Sequence, residues 1–410
     1  MASTKKVAWG CVGLGGYARG VCMRLRESSG RADESVELRA VCEPDQQLHA
    51  ELMAELRSEG VKVFERCDDL FAEPIDAVWL PLPIDLHRSF TERALSAGKA
   101  VMCEKPAAGS VDDIDAMIAA RDRAGLAVAI GYQDIYDPTT LPLKRRLLDG
   151  LVGPIESATL HAVWPRGQGY YERSTWAGRF KRDGVWVMDS PAQNALAHFI
   201  NLALFLMGSA LHDSAEPTRV EAELYRANPN IENYDTISMR VGIESGATLM
   251  VLLTHAGADK VDPIIDLHGS QGRVRFTPPR FTVTRADHDA QIIDRNVSGR
   301  YHMAERFARY IRGENDDHIG LATLEVARAH LVAVNAASQA APIVPLSEDA
   351  LTPTKSSEGG MIYAITGIES IFEQCARRQV MLHDSGLVDW ARPASTLEVV
   401  GYNHFAGPAG

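Results

Sequence analysis

The stretch Val7-Ala-Trp-Gly-Cys-Val12, running directly into Gly13-Leu-Gly15-Gly16-Tyr17-Ala18, decides the fold. A near-continuous apolar run reads as a strand buried on both faces, the kind that parallel sheets hold between two layers of helices. The glycines that close it have the form G-x-G-x-x-A. Gly13 permits a tight turn, Gly15 lets the backbone approach a pyrophosphate with no Cβ in the way, and Ala18 keeps the following helix close to the strand. That helix then aims its N-terminal amides and positive dipole end at the phosphates. A glycine-rich turn alone says little. Between a strand and a helix it has the context that a dinucleotide site requires.

Further short apolar runs follow at Glu37 to Cys42, Val61 to Phe64, Ala77 to Leu80, Ala100 to Cys103 and Ala127 to Ile130. Between them lie segments with apolar residues three and four apart, such as Phe90, Ala94, Leu95 and Ala97. Six strands alternating with helices predict a doubly wound dinucleotide-binding domain over residues 1–137. The period then changes. Ala158, Leu160, Ala162 and Trp164 alternate with Ser157, Thr159, His161 and Val163, and similar two-residue alternation runs through Val220 to Tyr225 and Ile237 to Ile243. Residues 138–350 therefore read as a second domain on a large, mostly antiparallel open sheet, one face packed by helices and the other more polar. The fold class is α/β followed by α+β. Residues 351–410 form an extension, with a linker at Lys355 to Gly360. Ile362, Ile365, Ile368, Ile371, Phe372 and Cys375 then mark one amphipathic helix.

Composition narrows the function. The 410 residues are 46% hydrophobic and 23% charged, ordinary for a soluble globular protein, with 42 Lys and Arg against 54 Asp and Glu for a net charge of −12. An acidic chain without a basic cluster is poorly suited to gripping phosphate backbones, so no nucleic-acid partner is expected. No apolar run is long enough to span a bilayer, and the start leads directly into a strand, so neither membrane insertion nor a signal peptide is expected. The six cysteines show no paired spacing and read as reduced thiols of a cytoplasmic protein. The thirteen histidines show no metal-ligand spacing, and no metal is expected.

Several polar residues stand at strand ends, where a doubly wound sheet binds its ligand. Glu43 follows the second strand. Its carboxylate suits both ribose hydroxyls of adenosine and repels a 2′-phosphate, which favours NAD over NADP. Pro83 and His87 follow the fourth strand, Glu104, Lys105 and Pro106 the fifth, and Tyr132 and Gln133 the sixth. Lys105 is placed to stabilise an alkoxide beside a nicotinamide ring. In the second domain Asn194 and His198, four apart, share a face if helical, with Asp189 and Gln193 nearby. His198 can pass a proton to or from a substrate oxygen. Trp164, Arg166, Trp176 and Arg179 offer ring faces and guanidinium forks for a polyhydroxylated ligand, and His255 stands at another strand end.

Together these segments resemble the glucose–fructose oxidoreductase / inositol dehydrogenase family, Gfo/Idh/MocA. The resemblance rests on Gly13 to Ala18, Glu43-Pro-Asp45, Pro83 with His87, Ala97-Gly98-Lys99, Glu104-Lys105-Pro106 and Gly131-Tyr-Gln133. The helix of His198, with Asn201 and Leu206-Met-Gly208, extends it, as do Tyr234-Asp235-Thr236 and Gly269-Ser-Gln-Gly272. It covers about residues 5 to 345. It implies a Rossmann domain that binds NAD through Gly13, Gly15, Gly16, Tyr17, Ala18, Glu43, Pro83, His87, Glu104, Lys105 and Gln133. It also implies reversible oxidation of a carbinol on a sugar, cyclitol or polyol at the junction of the two domains.

In such enzymes a Lys, an acid and a His commonly surround the reacting carbon. Lys105 and His198 match the first and last. Asn194 stands where the acid is expected, and Asp189 is a candidate to supply the carboxylate from the preceding loop. The substrate-side set is then Lys105, Tyr132, Trp164, Arg166, Trp176, Arg179, Asp189, Asn194 and His198. Two other readings stay open: a glycoside hydrolase that uses NAD for transient oxidation of the sugar, and a non-catalytic NAD-binding or sensor protein. An open sheet with one exposed face implies a homo-oligomer, a dimer or tetramer.

Overall fold

The structure, a computed structural model, describes residues 6–30, 35–286, 288–295, 297–314, 319–356 and 360–410. The chain start and Ser357 to Gly359 of the expected linker lie outside the described residues. The chain divides into two compact units. The first comprises residues 1–108, 113–137 and 297–324, the second 109–112, 138–296 and 325–410.

In the first unit, six parallel strands form one sheet: β1 (Val7–Val12), β2 (Val36–Cys42), β3 (Lys62–Phe64), β4 (Ala77–Leu80), β5 (Ala100–Cys103) and β6 (Val128–Ile130). Their order is β3-β2-β1-β4-β5-β6. Helices α1 (Gly16–Ser29), α2 (Ala50–Ser58), α3 (Cys67–Phe71), α4 (Ile84–Ser96) and α5 (Val111–Ala124) alternate with the strands. The apolar runs form strands because both faces are covered: every residue of β1, β4, β5 and β6 is buried. The order reverses direction at β1 and β4, the switch point where such sheets open a crevice at their C-terminal edge. Gly13, Glu43, Pro83 and Lys105 all follow strands at that edge. Residues 297–324 return to this unit. There Phe307 stacks on Trp9 with ring centroids 5.7 Å apart, and Ala322 O accepts from Ile130 N.

The second unit is built on β7 (Ile155–Val163). Helices α6 (Thr140–Leu148) and α7 (Gln168–Glu172) flank it in sequence, followed by a two-residue hairpin of β8 (Lys181–Arg182) and β9 (Val185–Trp186). A π-helical turn (Pro191–Ala195) leads into α8 (Ala197–Met207). Then come β10 (Pro217–Arg226), β11 (Thr236–Ile243), β12 (Thr248–Thr254), β13 (Val261–Gly269), β14 (Gly272–Thr277), β15 (Arg280–Arg285) and β16 (His288–Asp294). After α9 (Met303–Ile311) in the first unit and α10 (Leu324–Ala340), the chain adds β17 (Ile343–Pro345), a hairpin of β18 (Thr354–Lys355) and β19 (Met361–Ile362), α11 (Ile368–Arg378), α12 (Leu382–Ser385) and β20 (Ser395–Glu398). The large sheet runs β16-β15-β14-β13-β7-β12-β11-β10-β17, with β20 also on β10. Only the β12–β7 and β10–β17 pairs are parallel. The expected open, mostly antiparallel sheet is therefore present.

Helices on one side of this sheet do not describe it fully. Ala158, Leu160 and Ala162 of β7 are buried, as the alternation implies. On the other face, Val163, Tyr225, Met250 and Leu252 form one buried cluster with Ile365, Ile368, Phe372, Cys375 and Leu382 of the extension. The amphipathic helix of the tail, shorter than expected because Ile362 belongs to β19 and Ile365 bridges Leu351, thus packs on the sheet of its own chain. The sequence reads this face as exposed because its cover arrives more than 100 residues after the last of these strand positions. That cover closes the part of this face formed by β7, β10 and β12. Phe372 is fully buried, so Phe372→Ala is expected to cost about 3–5 kcal/mol of stability. Chemical denaturation measures this, and a loss below about 1 kcal/mol would show that the helix is only loosely docked.

Candidate active site

The phosphate loop satisfies the backbone its glycines imply. Gly13 has φ +94°, in the left-handed region, and a Cβ there would stand 3.3 Å from Ala18 Cβ. Ala18 is buried, keeping α1 against β1. Gly15 is different. Its φ of −87° is open to any residue, and a Cβ would meet only His49 Nε2 at 3.6 Å. The protein gives no steric reason for glycine at 15, whereas close approach of a phosphate does. Glu43, 8% exposed, reaches back to this loop, its Oε2 accepting from Leu14 N at 2.7 Å and its Oε1 from Asp45 N at 3.0 Å. The acid and the loop are therefore adjacent, as an adenosine ribose beside a pyrophosphate demands. These residues fit a dinucleotide.

At the end of β5, every residue from Val101 to Ala108 is buried except Lys105. Glu104 turns inward. Trp79 Nε1 donates to its Oε1 at 3.1 Å, and burial pushes its carboxyl above the ordinary range. Gly131 makes room for it, since a Cβ there would stand 2.7 Å from Glu104 Oε2. The Lys105–Pro106 peptide is cis. His87 is fully buried, its ring nitrogens 2.8 Å from Pro106 O and from Leu82 O. Burial lowers its pKa, while the two facing carbonyls, which only accept, favour a proton on both nitrogens; the neutral ring donates to one of the two loops and the protonated ring to both. Tyr132 is 1% exposed and belongs to the core. Gln133 accepts from Arg300 Nε, and the Arg300 guanidinium lies 5.7 Å from the Tyr17 ring centroid. Arg300 escapes a reading of the sequence because it comes from the returning segment, 167 residues after Gln133.

In the second unit, residues Pro191 to Met207 are all buried except Asn194, Ala195 and His198. The simple helix expected over these positions begins instead as a π-helical turn, with Leu196 N donating to Pro191 O. Ser190 caps it, its hydroxyl accepting from Gln193 N at 3.1 Å. Asp189 is 3% exposed. Its Oδ1 accepts from Asn194 Nδ2 at 2.7 Å and its Oδ2 from Gly178 N at 2.7 Å. The carboxylate sought near Asn194 is thus present, holding the amide from behind.

Trp164 donates from Nε1 to Asp262 at 3.1 Å, and its ring meets Phe199 edge-on at 5.9 Å. Arg179 pairs with Glu232 at 2.7 Å on the surface, a loop anchor. Trp176 lies 5.7 Å from the Arg173 guanidinium. Two residues not singled out from sequence join this group. The Tyr170 ring has Arg166 at 4.7 Å and Arg173 at 3.5 Å. The density of aromatic and arginine residues from Trp164 to Trp176 is the signal that could have found them. His255, 3% exposed, bonds through Nδ1 to Trp164 O at 2.8 Å, and burial with the Arg166 charge holds its pKa at about 3.

Two family models match this chain, one described as "Oxidoreductase family, NAD-binding Rossmann fold" over residues 7–132, the other as "GFO/IDH/MocA C-terminal domain" over residues 140–275. The chain belongs to the Gfo/Idh/MocA oxidoreductase family. Among Gfo/Idh/MocA relatives, the D-apiose dehydrogenase of Paraburkholderia graminis is 26% identical over 286 residues, 67% of this chain and 68% of that protein. The inositol 2-dehydrogenase of Rhizobium meliloti is 27% identical over 209 residues, 50% of this chain and only 57% of that protein. The aldose-aldose oxidoreductase of Caulobacter crescentus, solved with glycerol, shares the fold with a TM-score of 0.65 at 23% identity, covering 80% of this chain and 95% of that one. Among the described residues no helix is long and apolar enough to cross a membrane.

Proposed function

We propose that this Gfo/Idh/MocA protein reversibly oxidises a carbinol of a sugar, cyclitol or related polyol. The observation that carries the reading is the exposure pattern of Pro191 to Met207, where Asn194 and His198 break a buried stretch and Asn194 is held by a buried carboxylate. The dehydrogenases of D-apiose and inositol among its relatives point to the same substrate class. A nicotinamide dinucleotide, when bound, supplies the acceptor for the substrate hydride.

The residues of the chain do the rest. Gly13 to Ala18 and Glu43 hold the dinucleotide, and His87 fixes the Pro83 and Lys105 loops. Lys105 donates to the reacting oxygen and stabilises the negative charge that develops there. His198 takes the hydroxyl proton as general base and returns it in the reverse direction. Asn194 orients a substrate hydroxyl. Being neutral it cannot offset an imidazolium, and the nearby charge of Asp189 serves in its place. Trp164, Arg166 and Trp176 offer ring faces and donors to a polyhydroxylated ligand.

Glu43 favours NAD, because its carboxylate accepts from ribose hydroxyls and repels a 2′-phosphate. Glu43→Ala is therefore expected to weaken NAD binding by about tenfold and to narrow its advantage over NADP. Parallel titrations of both cofactors measure this, and an unchanged preference would remove Glu43 from the cofactor site. The whole reading is tested with a panel of sugars and polyols, following NADH absorbance with NADP in parallel. Tight NAD binding with no turnover across the panel would sink it. Sugar release from glycosides without net NADH would replace it with a hydrolase.

A further inference from the structure

Cys42 is the last residue of β2 and Cys67 the first of α3. Their Sγ atoms stand 3.2 Å apart, at hydrogen-bonding distance, although 25 residues separate them in sequence. A disulfide needs about 2.05 Å between sulfurs, so the two must close by about 1.2 Å to link. The two thiols are not equivalent. Cys42 is buried and Cys67 is partly exposed. Hydrogen bonding from Cys42 and the nearby Arg93 charge pull the Cys67 thiol down, while the same contact and burial push Cys42 up. Cys67 is therefore the thiol that ionises and meets an oxidant, and Cys42 the one placed to resolve it.

The pair sits at the back of the dinucleotide cradle. Cys42 O accepts from Gly13 N at 2.7 Å, fixing the first glycine of the phosphate loop. The next residue is Glu43, whose backbone N donates to Phe64 O at 2.9 Å and whose carboxylate holds Leu14 N. Drawing the Cys42 side chain onto α3 moves the residue that anchors both halves of the cradle.

We infer that Cys42 and Cys67 form a peroxide-sensitive dithiol whose oxidation to a disulfide loosens the dinucleotide site. The part concerning affinity rests on the dinucleotide reading above. The chemistry balances with hydrogen peroxide as the oxidant. The Cys67 thiolate attacks one peroxide oxygen, the O–O bond breaks, and water leaves after proton uptake, giving a sulfenic acid. The Cys42 thiol then attacks that sulfur. The S–S bond forms, the S–O bond breaks, and the Cys42 proton leaves with the oxygen as a second water. Two thiols are oxidised and one peroxide is reduced to two waters.

The test treats the full chain with stoichiometric hydrogen peroxide. Titratable thiols under denaturing conditions should fall from the six of the sequence to four, with intact mass reduced by two hydrogens and a peptide map linking Cys42 to Cys67. NAD affinity, followed by fluorescence titration, should weaken about tenfold on oxidation and recover with a dithiol reductant. Cys67→Ser should keep the affinity of the reduced protein under peroxide. Cys42→Ser should stop at a trappable sulfenic acid on Cys67. A full thiol count after treatment, a bond mapped elsewhere, or a Cys42–Cys67 bond that leaves NAD affinity unchanged overturns the inference. If the reduced protein does not bind NAD at all, the dinucleotide reading fails instead, and mass and map alone decide whether the pair closes.

Discussion

His198→Ala is expected to lower turnover by about a hundred- to ten-thousand-fold while NAD affinity persists. General acid–base assistance of that size corresponds to roughly 2.7–5.4 kcal/mol of barrier. The imidazole stands at one of only three non-buried positions between Pro191 and Met207, so truncating it costs less packing than at a fully buried position. Alanine also suits the start of a helix interior. Loss of activity with an unchanged melting profile therefore reports on chemistry rather than folding. The measurement is kcat on a confirmed substrate, with NAD titrated separately by fluorescence. Turnover within a factor of two of the parent would take His198 out of the mechanism.

The second large effect is expected at Lys105. An ammonium that stabilises a developing alkoxide contributes on the order of a hundred- to a thousand-fold, and Lys105→Met should lose about that much from kcat. Methionine keeps the length of the side chain and removes its charge. Lys105→Arg keeps the charge but replaces a compact donor with a planar fork, and should recover only part of the rate. If Lys105 and His198 serve the same oxygen, the double variant loses less than the product of the two single losses. A strictly multiplicative loss would separate the two groups from each other, and full activity in Lys105→Met would separate the ammonium from the reaction.

Much of the first unit was legible because its signals are local. A phosphate loop needs a left-handed backbone at Gly13, room for a phosphate at Gly15 and a small side chain at Ala18, and the chain itself carries all three within six residues. Parallel strands buried on both faces leave apolar runs that cannot be mistaken for exposed alternation. The neighbours of these positions were not legible, because distant segments supply them. Arg300 reaches Gln133 from the returning segment, and Cys67 meets Cys42 only after β3 has turned the chain back. At Asn194 and His198 the spacing of four points to a shared face of a regular helix; both positions are partly exposed, but a π-helical turn carries the first and α8 the second. The π-helical turn beneath them depends on Pro191 and the Ser190 cap, and residue periodicity does not encode it. The same holds for Asp189. Its nearness to Asn194 in sequence suggested a carboxylate for the site, and only the loop geometry showed that this carboxylate also holds Gly178 and faces the amide from within.

The way the tail lies on β7, β10 and β12 restricts the company this protein can keep. A surface sealed by Phe372 and its neighbours offers a visitor no grease. What remains uncovered beside α11 is a polar strip of His268, Arg273 and Arg275 around a buried Asp266, with Arg275 already forked onto that carboxylate at 2.7 and 2.8 Å. A neighbour settling there must strip hydration from fixed charges and match them one for one. Such a handshake is selective but shallow, and ordinary salt, with a screening distance of about 10 Å at 0.1 M, is enough to loosen it.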